Sequence, residues 1–566
     1  MSKKIVIAEY ISTGINYVYD AISRGYEPVV IDCPYVGKEE DVAALRADRA
    51  IIRAKLPPGV TVIEETNDYE ALLRQVRELD PVLVIAGSEF GVPFATRLAA
   101  DLGLPGNPVS RLPEMTEKDA MHAALEAHGI RCIRGRLIQS VEEARAYYEE
   151  LGVQHVVIKR MRGAGTQGVY LCSGLEEALG AVEKELSFSI ENGDRDGILL
   201  MQEQIRGVEY IVNTLSCGGK HRLASMWRYD KVRLANMANA YNYCRTINRL
   251  EIGHTRLVQY AFDVLDAIGI QYGPVHGEFM IDEKGPVLIE VNCRPMGAGL
   301  GRKFTDLVFG HHETDVALDC YLDPAKFEAD MNKPYRPLRK GAIKFFILPQ
   351  DVVADTTPVL PISRRVRSFY SGHFESFGRQ LVLPQTQSID TAGGKVYLVH
   401  EDERTVIEDC DLLHRIEMEY PDILFQDPAK RPPVEGPCRD IQEILSALRC
   451  GGSTLVFSDR DHTVQGATVI GEKGLRTAYD SYDQGVLDLS RSETFADLEI
   501  LITQIYEFSD KIREGGRLII PESTYRNLPY GAEGMEILLQ ITGLRIEPPH
   551  CGLGDVMIAS VDRRTL

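Results

Sequence analysis

The chain has 566 residues, a formal net charge of −20 at pH 7, 44% hydrophobic and 26% charged residues. That length is too great for one hydrophobic core and predicts several domains, while the acidic balance argues against nucleic acid as a main partner, since phosphate backbones need a basic face. No apolar run reaches the about eighteen residues of a membrane span, the opening MSKKIVIAEYISTG lacks a signal-peptide core, and the 11 cysteines include no CxxC pair. A reduced, cytoplasmic protein with no membrane partner and no structural zinc is expected.

Residues 1–110 alternate the β-branched runs Ile5–Ala8, Val29–Ile31 and Val82–Ala86 with helix-like Tyr69–Leu79 and Pro93–Leu102. That pattern predicts a parallel α/β layer. Gly87, Ser88 and Glu89 follow a strand at the carboxyl edge, where open α/β sheets bind ligands. They read equally as a loop with a helix N-cap and a first-turn acid. The Gly- and Pro-rich 102–115 reads as a linker.

From Thr116, expected as an N-cap, a helix runs through Lys118 to His128. Strands are expected at Ile130–Ile138 and Gln154–Lys159, with a helix at Val141–Leu151 between them. Lys159 ends its strand, and Gly163, Gly165 and Gly168 follow with Thr166 among them. A dinucleotide fingerprint needs a helix after such glycines. Val169–Cys172 continues as a strand instead, so the stretch predicts a hairpin loop whose N–H groups can cover phosphates, or an ordinary flexible hairpin. A helix at Glu176–Ser189 and a strand at Ile198–Gln202 lead into a polar hinge, Gln202-Glu203-Gln204-Ile205. Backbone groups at 203 and 205 could pair with a planar heterocycle, and Glu209 with ribose hydroxyls; a plain turn with a solvated acid is the alternative.

Pro274–Gly301 reads as a hairpin: Glu278, Phe279 and Met280 on one strand, a turn at Asp282–Pro286, and Val287–Val291 returning. Side chains two apart share a face of a strand, so Glu290, Asn292 and Arg294 point one way and Glu278 can reach them. Two carboxylates and an amide oxygen suit Mg2+, and an adjacent arginine suits a carboxylate or acyl phosphate. A solvated polar face is the alternative. His276 lies on the face of Glu278, either orienting substrate or packed.

Taken in order, Lys118, Lys159 with Gly163–Gly168, Gln202–Glu209, and Glu278, Glu290, Asn292 and Arg294 resemble the ATP-grasp superfamily over roughly residues 1–330. The phrases GLPGNP, GPVHGEFM and LIEVNCRPMGAG are similar to its L-amino-acid ligase branch of bacilysin-type dipeptide ligases and carnosine synthase. The resemblance implies a mixed α/β and α+β multidomain fold in which two subdomains clamp ATP. It assigns Lys118, Lys159, Gly163, Gly165, Thr166 and Gly168 to the phosphates, Gln202, Glu203 and Ile205 to adenine, and Glu209 to ribose. It gives Glu278, Glu290 and Asn292 to Mg2+ (two ions, with Mn2+ as a substitute), and Arg294 and His276 to the reacting groups. The implied reaction joins a small-molecule carboxylate to an amine through an acyl phosphate, releasing ADP and phosphate. Alternatives are a carboxylating ATP-grasp enzyme, against which no biotinyl-lysine stretch occurs, and a nucleotide-binding scaffold. In 228–247, where the branch closes over the acceptor, this chain is aromatic and amide-rich, and Lys231 and Arg233 either bind an anion or are solvated.

A helix is expected at Asp306–Tyr321; its HHE at 311–313 lacks the HExxH spacing and reads as a solvated face. Short strands at Gly341–Leu348, Val366–Phe369, Gln380–Leu383 and Lys395–Val399 suggest an antiparallel extension, with Arg364, Arg365 and Arg367 on a solvated edge. Beyond the linker 427–437, strands and a helix at 533–542 look like the second half of a class I methyltransferase, without the glycine-rich loop that S-adenosylmethionine needs. The expected domains are 1–110, 111–205 (lid), 206–430 (large subdomain) and 438–566, and the acidic surface suggests a homodimer.

Overall fold

The computed structural model describes residues 3–35, 39–160, 169–191, 198–232, 240–297, 299–348 and, in shorter stretches, parts of 352–561. The chain divides into two compact units, Met1–Ala238 with Cys244–Gly341, and Asn239–Tyr243 with Ala342–Leu566. Among the described residues no helix is long and apolar enough to cross a membrane.

The first unit opens with β1 (Lys4–Ala8), α1 (Ile15–Ser23), β2 (Glu27–Ile31), α2 (Glu39–Arg53), β3 (Thr61–Ile63), α3 (Tyr69–Glu78), β4 (Pro81–Ala86) and α4 (Val92–Asp101). The strands are parallel in the order β3-β2-β1-β4. Alternate side chains supply two cores: Ile5, Ile7, Val30, Leu83 and Ile85 on one face, Val6, Ala8, Val29, Ile31 and Val84 on the other. Burial on both faces explains why these strands are continuous apolar runs. The strand order reverses at β1 and β4, and there the chain is packed backbone to backbone. A Cβ on Gly14 would lie 2.5 Å from the Gly87 carbonyl oxygen, and one on Gly87 2.3 Å from that of Glu9. Only glycine permits this approach, which seats Ser88 and Glu89 at the switch point.

Next come α5 (Leu112–Thr116) and α6 (Lys118–Ala127), then β5 (Gly135–Ile138), α7 (Val141–Leu151), β6 (Val156–Arg160), β7 (Val169–Cys172), α8 (Leu175–Glu191) and β8 (Leu199–Glu203). The antiparallel order is β5-β8-β6-β7, with α7 and α8 packed on it through Ala144, Tyr147, Leu151, Ala178 and Val182. Ser140 accepts from Glu143 N–H at 3.1 Å to start α7, and left-handed Gly152 ends it. Two local expectations change. Thr116 does not cap: its hydroxyl donates to Leu112 O at 2.9 Å and closes α5, leaving Glu117 at the N-cap of α6. Strand begins only at Gly135, because Arg131 is held against Asp282 at 2.6 and 2.8 Å and against the Gly285 carbonyl at 2.7 Å.

The centre of this unit holds β9 (Val208–Cys217), β10 (Lys220–Val232), α9 (Ile252–Ile268), β12 (Tyr272–Asp282) and β13 (Gly285–Asn292), with β11 (Ala240–Thr246) preceding α9. Within it β13-β12-β9-β10 is an antiparallel sheet, covered by α9 and α6 through Leu257, Ala261, Val264, Leu125 and Met121. The region expected to close over an acceptor is therefore largely strand, and its residues 233–239 lie outside the described residues. The helix expected at 306–321 is two, α10 (Arg302–Phe309) and α11 (Glu313–Leu322), followed by α12 (Pro324–Met331). Gly310, with φ 79°, breaks it. His311 and His312 are not solvated: His312 lies between Asp306 (2.7 Å) and Asp20 (2.9 Å), and His311 Nε2 is 3.2 Å from Ala224 O.

The second unit contains β14 (Lys340–Phe345), β15 (Val352–Asp355), β16 (Phe369–His373), β17 (Gln380–Leu383), β18 (Lys395–His400) and α13 (Glu403–Glu419). The strand expected at 366–369 starts only at Phe369, and Arg367 pairs with Glu408 at 2.8 Å. Lys344, fully buried, is paired with Glu417 at 2.6 Å. The last strands are β19 (Thr454–Ser458), β20 (Ala467–Ile470), β21 (Tyr482–Asp488), β22 (Ile512–Pro521), β23 (Leu544–Ile546) and β24 (Val556–Val561). Their order is β20-β19-β21-β22-β24-β23; the first four are parallel, and β24 enters antiparallel between β22 and β23. One apolar core joins Leu398, Val406 and Leu413 to Phe457, Leu518 and Leu538.

Candidate active site

The hairpin β12–β13 places His276 opposite Asn292 and Glu278 opposite Glu290, with a bulge between Glu278 and Phe279. Like charges set opposite each other destabilise a sheet, and bulges recur where a side chain is re-aimed beside a site. Lys118, the first residue of α6, puts its Nζ 2.7 Å from Glu290 Oε2, and Asn292 Nδ2 donates to Oε1 at 3.4 Å. Burial alone would raise the Glu290 carboxyl, but the Lys118 and Lys159 ammoniums outweigh it and bring it to about 2. Lys118 answers in kind: burial opposes its charge, and Glu290 restores it and carries it above the ordinary amine range. Lys159, opposite Leu200 and Val169 on β6, is pushed down by burial and by Lys118. The two lysines and the two glutamates thus form one electrostatic group.

His276 is buried behind this group. Its Nδ1 lies 2.9 Å from Asn213 Oδ1 and its Nε2 3.4 Å from Glu278 Oε1. Asn213 Nδ2 donates to Ser225 Oγ at 2.9 Å, which also receives the Trp227 indole N–H at 3.0 Å. A hydrogen-bonded row therefore runs from buried Trp227 to Glu278. Arg294, just past β13, donates to Pro295 O at 3.1 Å and to Glu89 Oε2 at 3.3 Å, so Glu89 at the switch point reaches the hairpin.

The residues expected on adenine and ribose fall on β8, on β9 and between them. Gln202 is buried, its Cγ 2.7 Å from where a Cβ on Gly135 would stand. Glu203 is not a free hinge: its N–H donates to Arg134 O at 2.9 Å, and its carboxylate receives Arg134 N–H at 3.0 Å and Nη2 at 2.9 Å. The strand β8 runs through Glu203, which is why that N–H is taken. Gln204 N–H donates to His155 O at 3.0 Å, and Ile205 follows, half-buried. Glu209 sits inside β9 opposite Met280; Lys231 pairs with it at 2.7 Å, and burial raises its carboxyl. Lys231 is therefore not simply a solvated residue. Gly163, Gly165, Thr166 and Gly168 lie outside the described residues.

Three further residues were given no role in the sequence reading. Asn213 is an ordinary strand residue until the sheet registers. His122, on α6, is lowered to about 4 by burial and by Lys159 and Lys118, and its Nδ1 is buried without a partner. Glu313 begins α11, and burial raises its carboxyl to about 8. Among the described residues no group of three or more His, Cys, Asp or Glu is arranged to hold a metal. Glu278, Glu290 and Asn292 offer two carboxylates and an amide instead. This hard oxygen set, with Glu290 ionised, fits a divalent cation that takes its remaining oxygens from phosphate and water.

Residues 116–298 match the family model described as Phosphoribosylglycinamide synthetase, ATP-grasp (A) domain. The chain contains an ATP-grasp domain. Dapdiamide A synthase of Enterobacter agglomerans is 27% identical over 323 residues, covering 56% of this chain and 73% of that one. An L-amino acid ligase structure from Bacillus licheniformis aligns with TM-score 0.55 and 17% identity, covering 73% of this chain and 97% of that one. An N5-carboxyaminoimidazole synthase from Aspergillus clavatus, in complex with ADP, aligns with TM-score 0.51 and 14% identity over 75% and 98%. Residues 116–298 are thus an ATP-grasp domain within a mixed α/β fold, similar to a synthase and a ligase.

Proposed function

We propose that this ATP-grasp ligase activates a small carboxylate with ATP as an acyl phosphate and transfers the acyl group to an amine, forming an amide or peptide bond with release of ADP and phosphate. The observation that carries this is the opposed pair Glu278 and Glu290 with Lys118 at 2.7 Å, a site that gathers cations and oxygen ligands at one point. Phosphoryl transfer demands positioning and charge neutralisation more than covalent help.

Lys118 and Lys159 are the cations for the transferring phosphoryl group, and Gln202, Glu203, Ile205 and Glu209 line the nucleoside side, where Lys231 must share Glu209 with a ribose. Glu278, Glu290 and Asn292 would hold Mg2+, two ions or Mn2+ in their place. When bound, it would supply positive charge to offset that of the phosphates. Arg294 faces the carboxylate and then the developing tetrahedral charge. His276 fixes the direction of Glu278 through Asn213. The relative named Dapdiamide A synthase supports the amide-forming choice; the carboxyaminoimidazole synthase keeps a carboxylating reaction as the competing one. In the second unit, a parallel sheet ended by an antiparallel strand inserted between the last two supports a methyltransferase-like arrangement, here without S-adenosylmethionine.

The test is phosphate release from ATP and Mg2+ over a matrix of amino acids and amines, singly and paired, with products weighed by mass spectrometry. Release that requires a pair, with a condensed mass missing from Glu290→Ala, supports amide formation. Release that requires bicarbonate and one amine assigns carboxylation instead. ATP binding without release under any condition assigns a scaffold.

A further inference from the structure

The sequence sets Arg46, Arg49 and Arg53 three and then four residues apart on α2, so all three share one face of the helix. They wall a cleft of about 570 Å3 whose other side is Asp32, at the end of β2, and Glu64 and Glu65, just past β3. The cleft opens at the carboxyl ends of parallel strands, the edge on which α/β sheets take ligands, and its volume is that of a small-molecule site. None of Lys118, Lys159, Glu278, Glu290 or Arg294 lines it.

The walls are unevenly engaged. Arg49 is buried, held by Glu9 and the Cys33 carbonyl, and reaches Glu65 at 3.0 Å. Arg53 divides its donors between Asp32 at 2.5 Å and Glu64 at 3.0 Å. Arg46 is exposed and comes no closer to Glu65 than 3.5 Å, so its guanidinium keeps donors for a ligand. On the facing wall Glu64 is exposed, and Asp32 Oδ1 is buried with no hydrogen-bond partner.

This lining narrows the ligand. Its formal charges cancel, Arg46, Arg49 and Arg53 against Asp32, Glu64 and Glu65, so it selects neither a polyanion nor a polycation. Among its described lining residues there is no aromatic ring, and Ala50 is the sole apolar side chain, so a flat or apolar group finds no platform. A guanidinium only donates and a carboxylate only accepts, whereas a hydroxyl does both. Adjacent hydroxyls can therefore bridge an arginine to a glutamate, entering between exposed partners that hold each other weakly.

We propose that this cleft is a second small-molecule site, for a neutral ligand with adjacent hydroxyl groups: a sugar, either free or as the ribosyl group of a nucleoside. The site is independent of the reaction assigned above.

Calorimetry on the full chain tests it, with Mg2+ and a non-hydrolysable ATP analogue at saturation so that the nucleotide position is filled. The probes are ribose, glucose and adenosine, each beside the counterpart that lacks the 2-hydroxyl (2′ in adenosine). At least one hydroxylated probe should bind, and its deoxy counterpart about tenfold more weakly, the loss of one hydrogen bond to a charged group. Binding of ribose or glucose identifies a free sugar; binding of adenosine alone identifies a nucleoside. Arg46→Ala and Glu64→Ala, at exposed positions, should each weaken that binding by about tenfold and leave binding of the ATP analogue unchanged. No binding by any probe, binding blind to the 2-hydroxyl, or binding unchanged in either variant overturns the site. Binding of inorganic phosphate that is lost in Arg46→Ala, with no sugar bound, assigns an anion site and overturns the neutral ligand.

Discussion

Lys118 Nζ lies 2.7 Å from Glu290 Oε2, so a lysine expected on phosphate is ion-paired with a residue expected on metal. Each neutralises the other: Glu290 is held at about 2 and Lys118 above its ordinary range. In the proposed function Glu290 would turn to the cation and Lys118 to the phosphate, so the pair would part when a metal–nucleotide binds. Lys118→Met should therefore leave Glu290 with Lys159 as its nearby cation and lower kcat by about 100-fold, the cost of removing one oriented donor from a transition-state oxygen. Steady-state ATP turnover checks this; a Lys118→Met enzyme with wild-type kcat contradicts it.

Much of this site was legible in the sequence because it is local. Glu278 and Glu290 are joined by a turn, so strand periodicity alone makes them neighbours, and the observed register bears that out. The apolar runs of β1, β2 and β4 announced a parallel α/β layer, and the folded strands are buried on both faces. What was not legible depends on contacts between distant segments. α1 has no side-chain cap and begins in a 3-10 turn. Glu203 N–H is taken by Arg134, 69 residues away, and His312 by Asp20, 292 residues away. No periodicity carries such information.

The row Trp227, Ser225, Asn213, His276 predicts that Asn213→Leu acts on the metal site without touching it. Losing an outer partner of a ligand typically costs 10- to 100-fold in metal affinity or activity. The Mg2+ concentration for half-maximal rate should rise by about tenfold or more, and a lower Tm should accompany it because Ser225 and His276 lose a partner. An unchanged Mg2+ dependence contradicts the row.

Glu89 competes for Arg294 at 3.3 Å from an exposed position. Exposed pairs are worth about 1 kcal/mol or less, so Glu89→Gln should barely move Tm. It should lower KM for the carboxylate substrate by up to about fivefold, the kinetic equivalent of that energy. A rise in KM would give Glu89 a direct part in substrate binding.

Glu313 predicts a pH signature in the free protein. Its folded carboxyl lies at about 8, above the ordinary 4.5, raised by burial. The stabilisation from holding its proton is thus fully present below the ordinary value and lost as pH rises through about 8. Glu313→Gln keeps the neutral shape at every pH. The Tm of the variant minus that of the wild type should therefore grow between about pH 5 and about pH 8.5. A difference independent of pH in melting curves would show that Glu313 ionises as an ordinary carboxylate.

The central claim is carboxylate activation by phosphoryl transfer, and oxygen tracing tests it most directly. The carboxylate substrate found in the pair screen is labelled with oxygen-18 in both oxygens, and the released phosphate is analysed by mass spectrometry. The acyl-phosphate route breaks a carbon–oxygen bond when the amine attacks, so each phosphate should carry one labelled oxygen from the substrate. Phosphate without label, at undiminished condensation, would contradict the account.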